Sequence, residues 1–395
     1  MIAVVGCVFF LGGCGQPHDA ERLDAQPSGA DASPPDARAL DGTPDAHLAG
    51  NGTFGSQIKY ATRSNPRAIA VGDFDGDGDL DLAVANEVDN SVSILLNRGD
   101  GTFSDQVESQ AGKYPRGLAV ADLDGDGRLD VIVPSGNDAT VSVLYGKGDG
   151  TFRPQVVLVT GVTPVQNQTY QDTAAITDVN HDGRLDLLVT RDADRSVCVL
   201  LGVAGGFSAG VEYPTNQSYS IIVADVDRDG SVDIAVANTA NNVGVLRNNG
   251  GGTFATQQSY PAESPNSIAS ADVDGDGWPD LVSAGYIPGV VRVLTNAQDG
   301  TFATTTGYSL NRPYAVALAP LHGAARPDMV VAGSNDDVVS VFLNDGTGTF
   351  LGPTTYPTGA APVFVVLADF NGDSVTDIVT ANVDEATVSV LLGNQ

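Results

Sequence analysis

The sequence predicts an all-β fold, a seven-bladed β-propeller with four-stranded blades whose ring is closed by an N-terminal strand completing the C-terminal blade. Three observations carry this. An Asp-rich loop between two apolar runs recurs seven times at nearly even spacing. A Gly-Thr-Phe marker recurs in step with it. The first and last repeats are complementary fragments of one unit.

The loop copies are easily aligned. AIAVGDFDGDGDLDLAVAN (68–86) returns as GLAVADLDGDGRLDVIVPS (117–135) and, in its last copy, as FVVLADFNGDSVTDIVTAN (364–382). First loop positions fall at Asp73, Asp122, Asp178, Asp225, Asp272, Pro320 and Asp369, with steps of 49, 56, 47, 47, 48 and 49 residues. GNGTF precedes the first copy, and GDGTF, GDGTF, AGGF, GGGTF, QDGTF and GTGTF follow copies one to six in turn.

Each unit divides into four short strands. In the first, 67–71 runs into the Asp loop, 80–85 leaves it, 91–96 is the third strand, and a fourth follows Gly101-Thr102-Phe103. Short strands with turns every 8–12 residues imply an all-β fold, and four per 40–50 residues imply a propeller blade. One such sheet cannot cover both of its faces, so neighbouring blades must stack. Residues 52–62 lack three preceding strands, and the last copy ends after its third. Together they make one blade, which removes two open edges from the ring.

The D-x-D-G-D-G-x-x-D loops, flanked by apolar strands and followed by V-S-V-L-L and G-D-G-T-F segments, resemble the FG-GAP/VCBS repeat family, which includes the integrin α-chain propeller. The resemblance spans residues 49–395. It implies ligand binding on the face opposite the Asp loops.

Within a loop, side chains at positions 1, 3, 5 and 9 converge on one hard cation, position 7 adds its backbone carbonyl, and Gly at position 6 permits the sharp turn. Blade one offers Asp73, Asp75, Asp77 and Asp81, with Asp79 at position 7. Blade two offers Asp122, Asp124, Asp126 and Asp130 with Arg128, and blade three Asp178, Asn180, Asp182 and Asp186 with Arg184. Blade four has Asp225, Asp227, Asp229 and Asp233 with Ser231, and blade five Asp272, Asp274, Asp276 and Asp280 with Trp278. Blade seven has Asp369, Asn371, Asp373 and Asp377 with Val375, and Ser374 where Gly is usual. In blade six Pro320, His322 and Ala324 replace the ligands and only Asp328 survives, so no metal is expected there. All-oxygen ligation favours Ca²⁺ over Mg²⁺ or Zn²⁺, with about six sites of affinity on the order of 10⁻⁴–10⁻³ M. These are not EF-hands: position 12 is apolar (Val84, Val133) and a strand follows. The alternative is a set of Asp/Gly hairpin turns that bind nothing. Against it, carboxylates about 4 Å apart repel by about 1 kcal/mol in water and about 4 kcal/mol at an effective dielectric of 20.

Residues 1–14, MIAVVGCVFFLGGC, are apolar but too short to span a bilayer as a stable helix, which reads as a signal peptide. Leu11-Gly12-Gly13-Cys14 resembles a bacterial lipobox, implying a lipid on Cys14, although no Lys or Arg precedes the apolar run; Cys7 is a weaker competitor, and a plain signal peptide is the alternative. Residues 15–48, rich in Ala, Asp and Pro, read as a disordered tether. An extracytoplasmic, membrane-anchored location follows.

Asp+Glu number 49 against 19 Lys+Arg, a net charge of −30, which disfavours nucleic acid and anionic lipid as partners. Four His, two of them in the tether, assemble no Ser–His–Asp or Cys–His set, so no catalytic residue is expected. Cys198 aligns with small residues and fills a small slot. Candidate contacts lie on the face opposite the Asp loops: the turns at 86–90, 135–139, 191–195, 238–242, 286–289, 335–337 and 382–385, with Tyr114, Tyr213, Tyr260, Arg312 and Tyr356 between blades. Those Tyr residues alternatively seal blades together. The long step between blades two and three adds an insertion at 160–173, with Gln166, Asn167 and Tyr170. The expectation is a monomeric, non-enzymatic propeller that binds a protein or glycan; a structural envelope subunit or a polysaccharide-degrading enzyme is the alternative.

Overall fold

A computed structural model describes residues 3–4, 7–8, 50–136, 140–159, 173–191, 194–323 and 326–395. Cys14, the tether and residues 160–172 of the insertion lie outside them. The described residues contain strands and no helix. Apart from a two-residue ladder pairing Ala3–Val4 with Cys7–Val8 and a small hairpin at Gly202–Phe207, they form seven four-stranded antiparallel sheets.

Blade one shows the plan. Pro66–Gly72 pairs with Asp81–Asn86, which pairs with Ser91–Leu95, which pairs with Val107–Gln110. Each strand lies within a residue or two of its expected place. The first strands touch in succession around the molecule, from Pro66–Gly72 through Ala119–Ala121, Ala174–Thr177, Ser218–Ala224, Pro265–Ala271, Pro313–Ala319 and Pro362–Ala368 back to Pro66–Gly72. The ring is therefore closed and its innermost strands surround a central channel. In blade seven the outer strand is Ile58–Ala61, which pairs with Thr387–Leu391 in register Lys59↔Ser389, as the complementary fragments require.

Burial follows the radius. Second strands such as Asp81–Asn86 and Asp377–Asn382 are buried along their whole length, because both faces are covered by neighbouring blades. Outer strands such as Ile58–Ala61 are largely exposed. The core is a set of wedges between blades. One joins Ile69, Val71, Leu82 and Val84 of blade one to Val366, Val379, Val388 and Val390 of blade seven.

The Phe of each Gly-Thr-Phe marker plugs the outer part of a wedge. Phe254 meets Tyr213, Phe302 meets Tyr260, and Phe54 meets Tyr356, each edge-to-face at 5.3 Å with the Tyr on the preceding blade. Tyr213, Tyr260 and Tyr356 therefore seal blades, which removes them from the candidate ligand surface. Asn86, Asn238 and Asn382 leave it too: they are fully buried, with Asn86 Nδ2 donating to Ser93 Oγ at 2.9 Å.

Candidate metal centre and channel mouth

Each Asp loop is a turn tied to its own backbone. The position 1 carboxylate accepts an N–H from position 6: Gly78 to Asp73 (3.1 Å), Gly127 to Asp122 (2.8 Å), Gly183 to Asp178 (2.8 Å), Gly230 to Asp225 (3.0 Å), Gly277 to Asp272 (2.9 Å) and Ser374 to Asp369 (2.7 Å). Position 5 accepts from position 7: Asp79, Arg128, Arg184, Ser231, Trp278 and Val375 donate to Asp77, Asp126, Asp182, Asp229, Asp276 and Asp373 at 2.7–3.0 Å. Positions 4 and 6 are both left-handed, as Gly76 (φ 81°) and Gly78 (φ 94°) show. The sequence reading asked this only of position 6, yet His181 and Arg228 adopt it at position 4 (φ 60° and 57°).

Position 9 holds the loop to the blade. Asp81, Asp130, Asp186, Asp233, Asp280 and Asp377 are at most 1% exposed. One oxygen accepts the N–H of position 2, as from Phe74 to Asp81 at 2.8 Å, and the other the N–H just past the third strand, as from Asn97 at 2.7 Å. Asp328 of blade six does the same for Leu321 (2.8 Å) and Asn344 (2.7 Å). It survives in a loop without the other ligands because it braces the fold. Burial, outweighing the two N–H donors, pushes Asp81 up to about 7 and Asp233, Asp280 and Asp377 up to about 6. Burial also raises Asp130 and Asp186.

The loops converge on a cation-sized space. Oxygens of Asp73, Asp75 and Asp81 lie within 4.8 Å of one another, as do those of Asp122, Asp124 and Asp130, of Asp225, Asp227 and Asp229, and of Asp272, Asp274 and Asp276. An ion with 2.3–2.6 Å bonds to oxygen spans about this distance, so these donor sets fit a hard divalent cation. Blades three and seven carry Asn at position 3, and Asn180 and Asn371 donate to Asp182 and Asp373 at 3.2 Å. In blade two, Arg153 reaches Asp124 (3.1 Å) and Asp126 (3.0 Å), placing a guanidinium against two of the expected ligands. In blade six, His322 Nδ1 lies 2.7 Å from Asp328. Trp278 is half-buried under the Arg228 guanidinium, 5.4 Å from its ring centroid.

One fastener was not anticipated. Asn248, just past the third strand of blade four, donates through Nδ2 to the carbonyl of Val179 (2.9 Å) in blade three's loop and to Val232 (3.1 Å) in its own. Asn296 and Asn344 repeat this towards Val226 and Val273, and Asn97 towards Phe370 across the closure. Blades two, three and seven have Gly146, Gly202 and Gly393 here.

Opposite the Asp loops, Arg67, Tyr219, Asn266, Tyr314 and Val363 of the first strands and Arg116, just ahead of blade two's, occupy one register position around the channel mouth.

The FG-GAP-like repeat model matches residues 41–84, 74–133, 178–236, 225–283, 272–323 and 321–380. The chain belongs to the FG-GAP-like repeat family. Among curated proteins none matches it. Of solved structures, an Agrocybe aegerita lectin described as recognising non-reducing terminal N-acetylglucosamine is 21% identical (TM-score 0.53; 81% of this chain, 86% of that one). BBS1N, solved in complex with ARL6DN, is 13% identical (TM-score 0.61; 87% and 98%). A periplasmic gluconolactonase from Pseudomonas aeruginosa is 18% identical (TM-score 0.53; 76% and 86%). At these identities the likeness is of fold alone.

Proposed function

We propose that this FG-GAP-like repeat protein is a calcium-stiffened binding module held outside the cytoplasm by a lipid on Cys14, recognising a protein or glycan without chemistry on it. The observation that carries this reading is the division of labour between the two faces. Clustered carboxylates repeat around one face with oxygens within 4.8 Å, so cations there serve the scaffold. The other face carries residues that differ from blade to blade. A lectin and a propeller held in a protein complex share the architecture, which supports binding as its use. Calcium occupies blades one to five and seven, and the chain acts as a monomer.

A glycan array and a pull-down from envelope extract, each with calcium and with EDTA, test this. Calcium-dependent capture of a defined glycan or one protein is the expected result. Turnover of a polysaccharide would replace the reading with the enzymatic one. An unchanged melting temperature in EDTA would count against structural calcium.

A further inference from the structure

We propose that the channel mouth opposite the Asp loops binds the acidic residue of a glycan, its carboxylate on Arg67 and Arg116 and its sugar ring against Tyr219 and Tyr314. This rests on the binding-module reading and names the ligand class. The site is built by a recurring backbone irregularity. In blades one, four, five, six and seven the pairing of first and second strands slips at one place, between Pro66 and Ala68, Ser218 and Ser220, Pro265 and Ser267, Pro313 and Ala315, and Pro362 and Phe364. Such a bulge frees one residue from the ladder and re-aims its side chain. The freed residues are Arg67, Tyr219, Asn266, Tyr314 and Val363, and Arg116 is their counterpart in blade two. Blade three's counterpart, Asp172, lies outside the described residues. Arg67, Arg116, Tyr219, Asn266 and Tyr314 are half-buried between buried neighbours, while in blade seven the half-buried residue is Phe364.

In the six described blades Pro precedes this position in all but blade four, which has Ser218, and Ile, Leu or Val stands two residues after it, whereas the position itself changes from blade to blade. The chemistry there is divided. Arg67 Nε meets Glu87 at 2.6 Å and Arg116 Nε meets the same carboxylate at 2.7 Å, with Arg116 Nη2 also on it. Glu87 is buried, so two guanidinium groups share one carboxylate, and these three side chains together carry a net positive charge in a protein whose total is −30. Guanidinium matches carboxylate as a planar fork. Tyr219 and Tyr314 line the same pocket as the two Arg, and Tyr314 is set edge-on to Tyr286 at 5.8 Å. A long polyanion would be repelled by the surrounding acidic surface, whereas one carboxylate-bearing ring would not.

The test is titration calorimetry of the full chain in calcium with galacturonic acid, its methyl ester and galactose. Tighter binding of the acid than of both neutral probes is expected. Arg67→Gln should reduce affinity for the acid by about ten- to a hundredfold and leave the neutral probes unchanged, and Tyr314→Ala should weaken all three. Equal affinity for acid and ester would overturn the proposal, since the charge would then be answered from within the chain. So would acid binding that survives Arg67→Gln and Tyr314→Ala. No binding of the acid, with calcium-dependent capture intact in the array or pull-down, would overturn this site and leave the binding-module reading standing. The wild-type comparison of acid with ester stands if either variant misfolds.

Discussion

Asp328 and Asp274 separate two duties that one residue type performs in these loops. Asp328 accepts two buried N–H groups in the loop expected to hold no metal. Asp328→Ala strands both donors and should cost about 2–6 kcal/mol, at about 1–3 per buried donor, in urea unfolding with EDTA or calcium alike. Asp274 is half-buried and accepts one N–H, from Asp276 at 3.1 Å, which an Asn carbonyl can also accept, so Asp274→Asn should cost less than about 1 kcal/mol in EDTA but reduce the rise in melting temperature on adding calcium. An undiminished rise would remove Asp274 from the ion. Titration gives a further check. Burial holds Asp81 up at about 7 and three of its counterparts at about 6, above the ordinary Asp range near 3.9. The folded, metal-free protein thus binds more protons than the unfolded chain between about pH 4 and 7. Its stability is greatest at the acid end of that window and is lost as pH rises through 6–7. With calcium seated the trend should reverse, because cation and proton compete for the same oxygens; melting curves across pH 5–8 with EDTA and with calcium would show it. The carboxylates themselves were legible in the sequence from their spacing. The bracing role was not, since Asp at position 9 reads the same whether it holds a cation or an amide.

At the scale of the blade, spacing again decides what can be read. Strand order and the Asp loop lie inside one repeat and emerge from self-comparison. The Asn fasteners reach across more than one: Asn248 and Val179 are 69 residues apart, Asn296 and Val226 70, and Asn344 and Val273 71. Their position is also filled by Gly in three blades, so no fixed letter marks it. Asn248→Ala removes two buried hydrogen bonds, one to each of two blades, and should cost about 1–3 kcal/mol in denaturant with no change in calcium affinity. A loss of under about 0.5 kcal/mol would mean that the Phe254–Tyr213 contact carries that wedge unaided. The channel-mouth residues were hidden for a related reason. A bulge has no sequence signature of its own, and Arg, Tyr, Asn and Val in one register look like drift until the backbone slip shows them sharing a place.

Across the whole ring, closure depends on Ile58–Ala61. Lys59 adds an ion pair to Glu385 at 2.8 Å, half-exposed on both sides and therefore of small weight beside the strand pairing. Removing residues 50–62 would leave Thr387–Leu391 with an open edge. The truncated protein should melt lower and self-associate on size exclusion; a monomer with the parent melting temperature would show that the closing strand is dispensable. The complementary end fragments made this closure readable, because a ladder needs a partner wherever it is cut. The same geometry fixes an orientation. The N–H of Asn51 donates to Asn394 O at 3.1 Å and that of Gly52 to Leu321 O at 2.9 Å, so the chain enters the domain beside blade six's loop, on the acidic side. The mouth with Arg67 and Arg116 opens at the far end of the first strands, roughly 20 Å away at about 3.3 Å per residue. Anything that leashes the polypeptide upstream of Gly50 therefore pulls on the carboxylate-bearing underside, and the guanidinium-lined vestibule points outward, towards whatever arrives.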